Sequence, residues 1–129
     1  MTSAHPTHTV LLVDDTAQIL ATVADYLRQH GFRVIEAAGP FGVSGLVSTE
    51  RPNVMVLDLA MPAMKGDALL SVLRRLPSAS AVPAIFYSSA EEEVLYRLTR
   101  GMSRTSYVQK SDGLAALHGA IKTCLAARP

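Results

Sequence analysis

Hydrophobic and polar positions form two kinds of segment along this chain, short apolar runs and longer stretches with helical spacing. The short runs predict five β-strands, over Val10–Val13, Phe32–Ile35, Val54–Leu57, Pro83–Tyr87 and Tyr107–Gln109. The first and third runs are aliphatic throughout, which is typical of central strands that are buried on both faces.

A segment with apolar residues three and four positions apart follows each run, and this spacing predicts a helix. The first helix contains Ile19, Leu20, Val23, Tyr26 and Leu27, and the later ones span Pro40–Glu50, Asp67–Arg75, Glu91–Arg100 and Leu114–Ala127. Thr16 can cap the first helix. The second helix is the weakest, because Gly42 and Gly45 each cost about 1 kcal/mol relative to alanine.

Five strands that alternate strictly with five helices predict one α/β domain, a doubly wound parallel sheet with helices on both faces. We expect the domain over residues 9–128, after a flexible tail over residues 1–8. The chain has 129 residues, of which 49% are hydrophobic, so it can build a proper core.

The remaining composition excludes several classes of protein. A net charge of +1 provides no excess of positive charge that would favour binding to nucleic acid or to an anionic membrane. No apolar run is long enough to span a bilayer. Cys124 is the single cysteine and cannot form an internal disulfide. Since the N-terminus also lacks a secretory signal, we expect a cytoplasmic protein.

Reactive side chains stand where the predicted strands end. Asp14 and Asp15 follow the first strand, Asp58 the third, Ser88 the fourth and Lys110 the fifth. In open α/β sheets, binding sites form beyond the carboxyl ends of the strands. Three crowded carboxylates repel one another unless a cation joins them, and Mg²⁺ prefers oxygen ligands. The pattern therefore predicts a Mg²⁺ site at which a carboxylate could accept a phosphoryl group.

These elements resemble the response regulator receiver family. The acidic pair, the segment Asp58–Pro62, Ser88 and Lys110 all match, with spacings of 43 residues from Asp15 to Asp58, 30 to Ser88 and 22 more to Lys110. The resemblance extends from about Thr9 to Ala127. It implies a flavodoxin-like fold with strand order 2-1-3-4-5.

The resemblance also implies a role for each matching residue. Asp58 would accept the phosphoryl group from a sensor histidine kinase or a histidine phosphotransfer protein. Asp15 would bind Mg²⁺ directly, Asp14 mainly through water, and Ala60 through its backbone carbonyl. The chain would then be a signalling switch of a phosphorelay rather than an enzyme that turns over a metabolite.

The switch itself would involve three further residues. Ser88 would hydrogen-bond a phosphoryl oxygen, Lys110 would pair with Asp58, and Tyr107 would turn inward as Ser88 moves. Targets would meet the face formed by the fourth helix, fifth strand and fifth helix. The protein would be a monomer, or a dimer once phosphorylated.

Simpler interpretations stand beside these roles. Asp14 could cap the first helix, and Ser88 or Ser89 could cap the fourth. Lys110 could be a solvated surface lysine, and Tyr107 could be an ordinary sheet residue. The domain could also be a docking module that works without phosphorylation.

A haloacid-dehalogenase phosphatase is excluded, because Ala60 stands where that class needs a second acid. A nucleotide-binding domain is excluded too, because no glycine-rich loop follows the first strand.

Three positions depart from the family pattern. Ser111 stands where a proline usually follows the lysine, often after a cis peptide bond, so here that bond is either trans or strained. Lys65 stands where an acid is common. Ser103 stands where a glycine usually precedes the fifth strand. Lys65 adds a positive charge near the phosphorylation loop, whereas Ser111 and Ser103 predict an altered relay from Lys110 to the target-binding face.

Ala60 and Ala90 flank the line that a hydrolytic water would take towards a phosphorylated Asp58. Neither side chain can orient that water, so we expect slow self-dephosphorylation, and faster decay of the acyl phosphate in Ala60→Asn and Ala90→Glu. The decay is measured directly on the isolated phosphoprotein. A half-life of seconds that neither substitution changes would contradict this expectation.

Overall fold

The computed structural model describes residues 8–127. Most of the expected N-terminal tail, together with residues 128–129, lies outside the described residues. The strands are β1 (Thr9–Val13), β2 (Arg33–Ala37), β3 (Val54–Leu57), β4 (Ala84–Ser88) and β5 (Thr105–Gln109). The helices are α1 (Ala17–Gln29), α2 (Val43–Glu50), α3 (Gly66–Leu73), α4 (Glu92–Thr99) and α5 (Leu114–Ala126), with a short 3₁₀ turn over Lys110–Asp112 before α5.

The five strands form one parallel sheet in the order β2-β1-β3-β4-β5. Both the fold class and the strand order expected from the sequence are therefore confirmed. In the register of the sheet, Val13 lies beside Leu57 and Leu57 beside Phe86. Because the strands are parallel, the residues that follow them meet at the same edge.

Two hydrophobic cores lie on the two faces of this sheet. Alternate residues of β1 divide between them: Val10 and Leu12 pack towards α1 and α5, whereas Leu11 and Val13 pack towards α2, α3 and α4. Side chains of consecutive strand residues point to opposite faces, so an uninterrupted aliphatic run fills both cores. This explains why the central strands carry no polar alternation.

Several element boundaries differ from the predicted ones by two or three residues. Strand β2 continues to Ala37 and β5 begins at Thr105, because backbone pairing with β1 and β4 extends both strands through polar residues. Helix α2 begins only at Val43, since Gly42 precedes it with φ 81°. A residue with positive φ lies outside the right-handed helical region and so delays the start of the helix.

The cap of α1 also differs from the prediction. Thr16 occupies the N-cap position, but its side chain makes no capping hydrogen bond. Instead the Thr16 N–H donates to Asp14 Oδ1 at 2.9 Å, an Asx turn formed two residues earlier. Asp14 thus organises the start of α1 through Oδ1, while its Oδ2 contacts Lys110 at the edge of the sheet.

The connection into β5 takes the left-handed conformation at Arg104, with φ 53°, one residue after Ser103. Arg74 supports this connection from the end of α3, with guanidinium hydrogen bonds to the Ser103 and Arg104 carbonyls. The same guanidinium reaches the Ala79 carbonyl at 2.9 Å and also bonds Val82. The guanidinium group of Arg74 therefore connects the loop before β4 to the loop before β5.

Candidate functional site

Asp14 and Asp58 occupy neighbouring positions at the carboxyl edge of the sheet. The Asp58 N–H donates to the Val13 carbonyl at 2.9 Å, and the Asp14 N–H to the Ala37 carbonyl at 3.1 Å, so both acids continue the strand ladders. Only 2% of Asp14 and 6% of Asp58 is exposed, whereas Asp15 is open to solvent. The structure thus buries two carboxylates and leaves the third at the rim.

Lys110 is the cation that approaches these acids. Its Nζ lies 3.0 Å from Asp14 Oδ2 and 3.5 Å from Asp58 Oδ1, and only 17% of its side chain is exposed. Lys110 is therefore not a solvated surface lysine. Lys110 thus pairs with Asp58, as the sequence led us to expect, and also makes a shorter contact with Asp14 that the sequence did not indicate.

The acidic groups converge closely enough to share a metal ion. Asp14, Asp15 and Asp58 each place one carboxylate oxygen so that the three atoms lie within 4.8 Å of one another. Oxygen donors of this kind suit a hard divalent cation such as Mg²⁺. Three carboxylates against one ammonium also leave an excess of negative charge, so the residues present fit the ion that the sequence predicts.

The surroundings of Asp58 raise its pKa above the ordinary value. Burial is the largest cause and the negative charge of Asp14 the second, while Lys110 and the Ala60 N–H act in the opposite direction. In the unfolded chain Asp58 titrates at its ordinary value, so the folded protein holds the proton to higher pH. This group's contribution to stability therefore falls as the pH rises from the ordinary carboxyl pKa through the raised one.

Ser88 ends β4 next to this cluster and is buried, with 1% exposed. Its Oγ accepts the N–H of Ala90 at 3.1 Å. Neither it nor Ser89 caps α4, because the N-cap is Glu91, which makes no capping hydrogen bond of its own. Ser88 is thus tied into the loop between β4 and α4.

Tyr107 lies on β5, partly buried, and faces α4. Its hydroxyl donates to Glu92 Oε2 at 3.2 Å. Burial and this acceptor raise the pKa of Tyr107. In this conformation the ring belongs to the contact between β5 and α4 and not to the acidic cluster.

Sequence reasoning missed Gln109, the last residue of β5. Its Nε2 donates to the Ala90 carbonyl at 3.0 Å, which connects β5 to the same loop that Ser88 holds. A glutamine at the end of a strand carries no signal by itself. The pairing of Ser88 with Gln109 in the sheet register is what brings the side chain to that loop.

The segment after Lys110 departs from the family pattern without disturbing the lysine. Lys110–Asp112 form a 3₁₀ turn, and no peptide bond among residues 8–127 is cis, so Lys110–Ser111 is trans. Gly113, with φ 92°, then leads into α5. The absence of a proline therefore leaves Lys110 directed at the carboxylates.

The sequence matches the family model of the response regulator receiver domain over residues 10–122. This chain belongs to the response regulator receiver family, and it is a receiver domain of two-component signalling. Its five parallel strands and the acids at their carboxyl edge are in keeping with that assignment.

Individual relatives agree with the family. The chain is 39% identical over 90 residues to a protein-glutamate methylesterase/protein-glutamine glutaminase of Anaeromyxobacter dehalogenans, which covers 68% of this chain and 24% of that protein. It is 29% identical over 119 residues to the transcriptional regulatory protein PrrA of Mycobacterium bovis, which covers 92% of this chain and 50% of that protein. The chain therefore spans at most about half the length of these two relatives.

A solved structure shows the same fold. The chemotaxis protein CheY4 of Vibrio cholerae superposes with a TM-score of 0.84 at 21% identity, covering 92% of this chain and 98% of that one. In the part of the chain that the structure describes, no helix is both long and apolar enough to cross a membrane.

Gly66, the first residue of α3, sets the shape of the loop that carries Asp58. A Cβ at this position would lie 2.3 Å from the Asp58 carbonyl oxygen and 3.0 Å from the Leu59 Cα. We predict that Gly66→Ala lowers the free energy of unfolding by about 2 kcal/mol or more, since backbone atoms must move to relieve the overlap.

Gly45, inside α2, is the matched control. A Cβ there meets nothing within 4 Å, so Gly45→Ala should stabilise the protein by about 0.5–1 kcal/mol. Both variants are measured by urea denaturation. Equal effects of the two substitutions would show that the close approach of Gly66 to Asp58 is not required.

Proposed function

We propose that this domain is a phosphorylation-activated switch in which Asp58 accepts a phosphoryl group in the presence of Mg²⁺. The observation that carries the proposal is the convergence of three carboxylates with Lys110 at the sheet edge. The donor is a phosphohistidine, on a sensor histidine kinase or a histidine phosphotransfer protein. We place the protein in the cytoplasm, where such donors act.

The transfer needs a nucleophile and groups that balance the charge of the phosphoryl oxygens. An oxygen of Asp58 attacks phosphorus, and a new P–O bond forms as the P–N bond to the histidine breaks. The imidazole nitrogen leaves with the electron pair and takes up a proton. Lys110, which contacts both Asp14 and Asp58, opposes the rise in the pKa of Asp58 and so favours the ionised form that acts as the nucleophile.

Asp15, Asp14 and the Ala60 carbonyl are the groups proposed to hold Mg²⁺ together with Asp58. The ion supplies positive charge opposite the phosphoryl oxygens when it is bound. Lys110 supplies a second positive charge, and the Ser88 hydroxyl a neutral donor. Slow loss of the phosphate is also proposed, because the methyl groups of Ala60 and Ala90 cannot hydrogen-bond a hydrolytic water.

The output is proposed to lie on the face of α4, β5 and α5. On α4, the large apolar side chain of Tyr96, one turn after Glu92, is 54% exposed. Glu92, which accepts the Tyr107 hydroxyl, stands at the start of the same helix. A change at Ser88 can therefore reach this face through α4, and a protein target, or a second phosphorylated copy, is the proposed partner.

We expect incubation with phosphoramidate and Mg²⁺ to add one phosphate, about 80 Da, to the intact protein, because the site holds both the nucleophile and its counter-charges. Intact mass spectrometry detects the adduct. Asp58→Asn should abolish it. The exposed acid Asp25, replaced in Asp25→Asn as the control, should leave it unchanged.

An unmodified wild-type protein, or an adduct that persists in Asp58→Asn, would contradict the proposed chemistry. The first result would favour a docking module that works without phosphorylation. The second would place the phosphate on another residue, and fragmentation of the modified peptide would identify it.

A further inference from the structure

Both backbone polar groups of Ala90, in the loop after β4, are held by side chains from strand ends. The N–H donates to Ser88 Oγ at 3.1 Å, and the carbonyl accepts from Gln109 Nε2 at 3.0 Å. Ser88 and Gln109 lie opposite each other in the register of β4 and β5. The last residues of β4 and β5 therefore both hydrogen-bond the backbone of the same loop residue.

We propose that Gln109 is a positioning residue of the switch, whose side-chain amide holds the Ala90 carbonyl and keeps the loop after β4 in the conformation of the unphosphorylated domain. This inference rests on the function proposed above. Gln109 acts through Ala90 and Ser88 and not on the reacting atoms, since its hydrogen bond goes to the loop backbone.

The connection between Ala90 and Ser88 explains why this hydrogen bond matters. The Ser88 hydroxyl is the neutral donor proposed for the phosphoryl oxygens, and its oxygen already accepts the Ala90 N–H. If Ser88 moves towards Asp58 and keeps that bond, Ala90 moves with it. The Ala90 carbonyl then moves away from β5, and the Gln109 bond lengthens or breaks.

A second bond ties β5 to the same region. Tyr107 lies two residues before Gln109, on the same side of β5, and its hydroxyl donates to Glu92 at the start of α4. The Gln109 bond is partly buried, whereas the Tyr107 bond is exposed. Water therefore competes less with the Gln109 bond than with the Tyr107 bond.

The expected effect follows from the strength of one neutral hydrogen bond. Its net contribution corresponds to a roughly two- to tenfold change in a conformational equilibrium. Removing the Gln109 donor should therefore raise the fraction of molecules whose loop is free to follow Ser88 by that factor. If transfer to Asp58 requires this loop conformation, the rate of phosphorylation rises equally.

The test compares Gln109→Met, which keeps the length of the side chain and removes the donor, with Gln29→Met on the exposed end of α1. We measure the rate of adduct formation with phosphoramidate at saturating Mg²⁺. We also measure amide hydrogen exchange over residues 90–93 in the unphosphorylated protein. Gln109→Met should phosphorylate roughly two- to tenfold faster and exchange faster over these residues, whereas Gln29→Met should match the wild type.

A rate for Gln109→Met equal to or below that of the wild type would overturn the inference while leaving the proposed function intact. Absence of any adduct on the wild type would instead refute the proposed function, and the role of Gln109 with it. If Gln109→Met does not fold, Gln109→Leu replaces it, and a rate no faster than the wild type's again overturns the inference. Unchanged exchange over residues 90–93 would do so as well, without any phosphorylation.

Discussion

Two carboxylates, those of Asp14 and Asp58, are buried at one edge of the sheet beside the ammonium group of Lys110. Burying charge in this way is costly unless opposite charge accompanies it. Lys110 balances one of the two acids, and Asp15 adds a third negative charge at the rim. The remaining imbalance is the basis of the proposed affinity for a divalent cation and of the proposed role of Asp58 as a nucleophile beside that cation.

The parallel sheet is what makes this arrangement possible. Each acid continues a backbone ladder, Asp14 on Ala37 and Asp58 on Val13, so the positions of the carboxylates are fixed by the register of the strands. Gly66 then lets α3 approach the Asp58 carbonyl more closely than a side chain would permit. Asp14 also accepts the Thr16 N–H, so the start of α1 and the site share one residue.

The sequence was sufficient to predict what depends on local pattern. Continuous aliphatic runs indicated buried parallel strands, and the polar residues after them indicated where the acids and Lys110 would meet. What it did not predict depends on tertiary pairing. Strand β5 starts at Thr105 because β4 offers backbone partners, although Thr105 and Ser106 have no apolar pattern.

The contacts around the loop after β4 were missed for a related reason. Nothing in the sequence distinguishes Gln109 from a solvated glutamine, and only the register of β4 and β5 shows that it reaches Ala90. The expected pairing of Lys110 with Asp58 is present, but its shorter contact with Asp14 was not anticipated. Two buried acids compete for one ammonium, and the distances that favour Asp14 over Asp58 depend on the folded backbone.

The free energy of unfolding of the wild type and of Asp58→Asn, each measured with and without Mg²⁺, tests the central claim most directly. Without Mg²⁺ at neutral pH, Asp58→Asn should be more stable by about 1 kcal/mol, since it removes a buried charge that one lysine cannot fully balance. Mg²⁺ should then stabilise the wild type more than the variant, because the ion binds the folded site preferentially. A variant less stable than the wild type without Mg²⁺, or an equal effect of Mg²⁺ on both, would contradict this account.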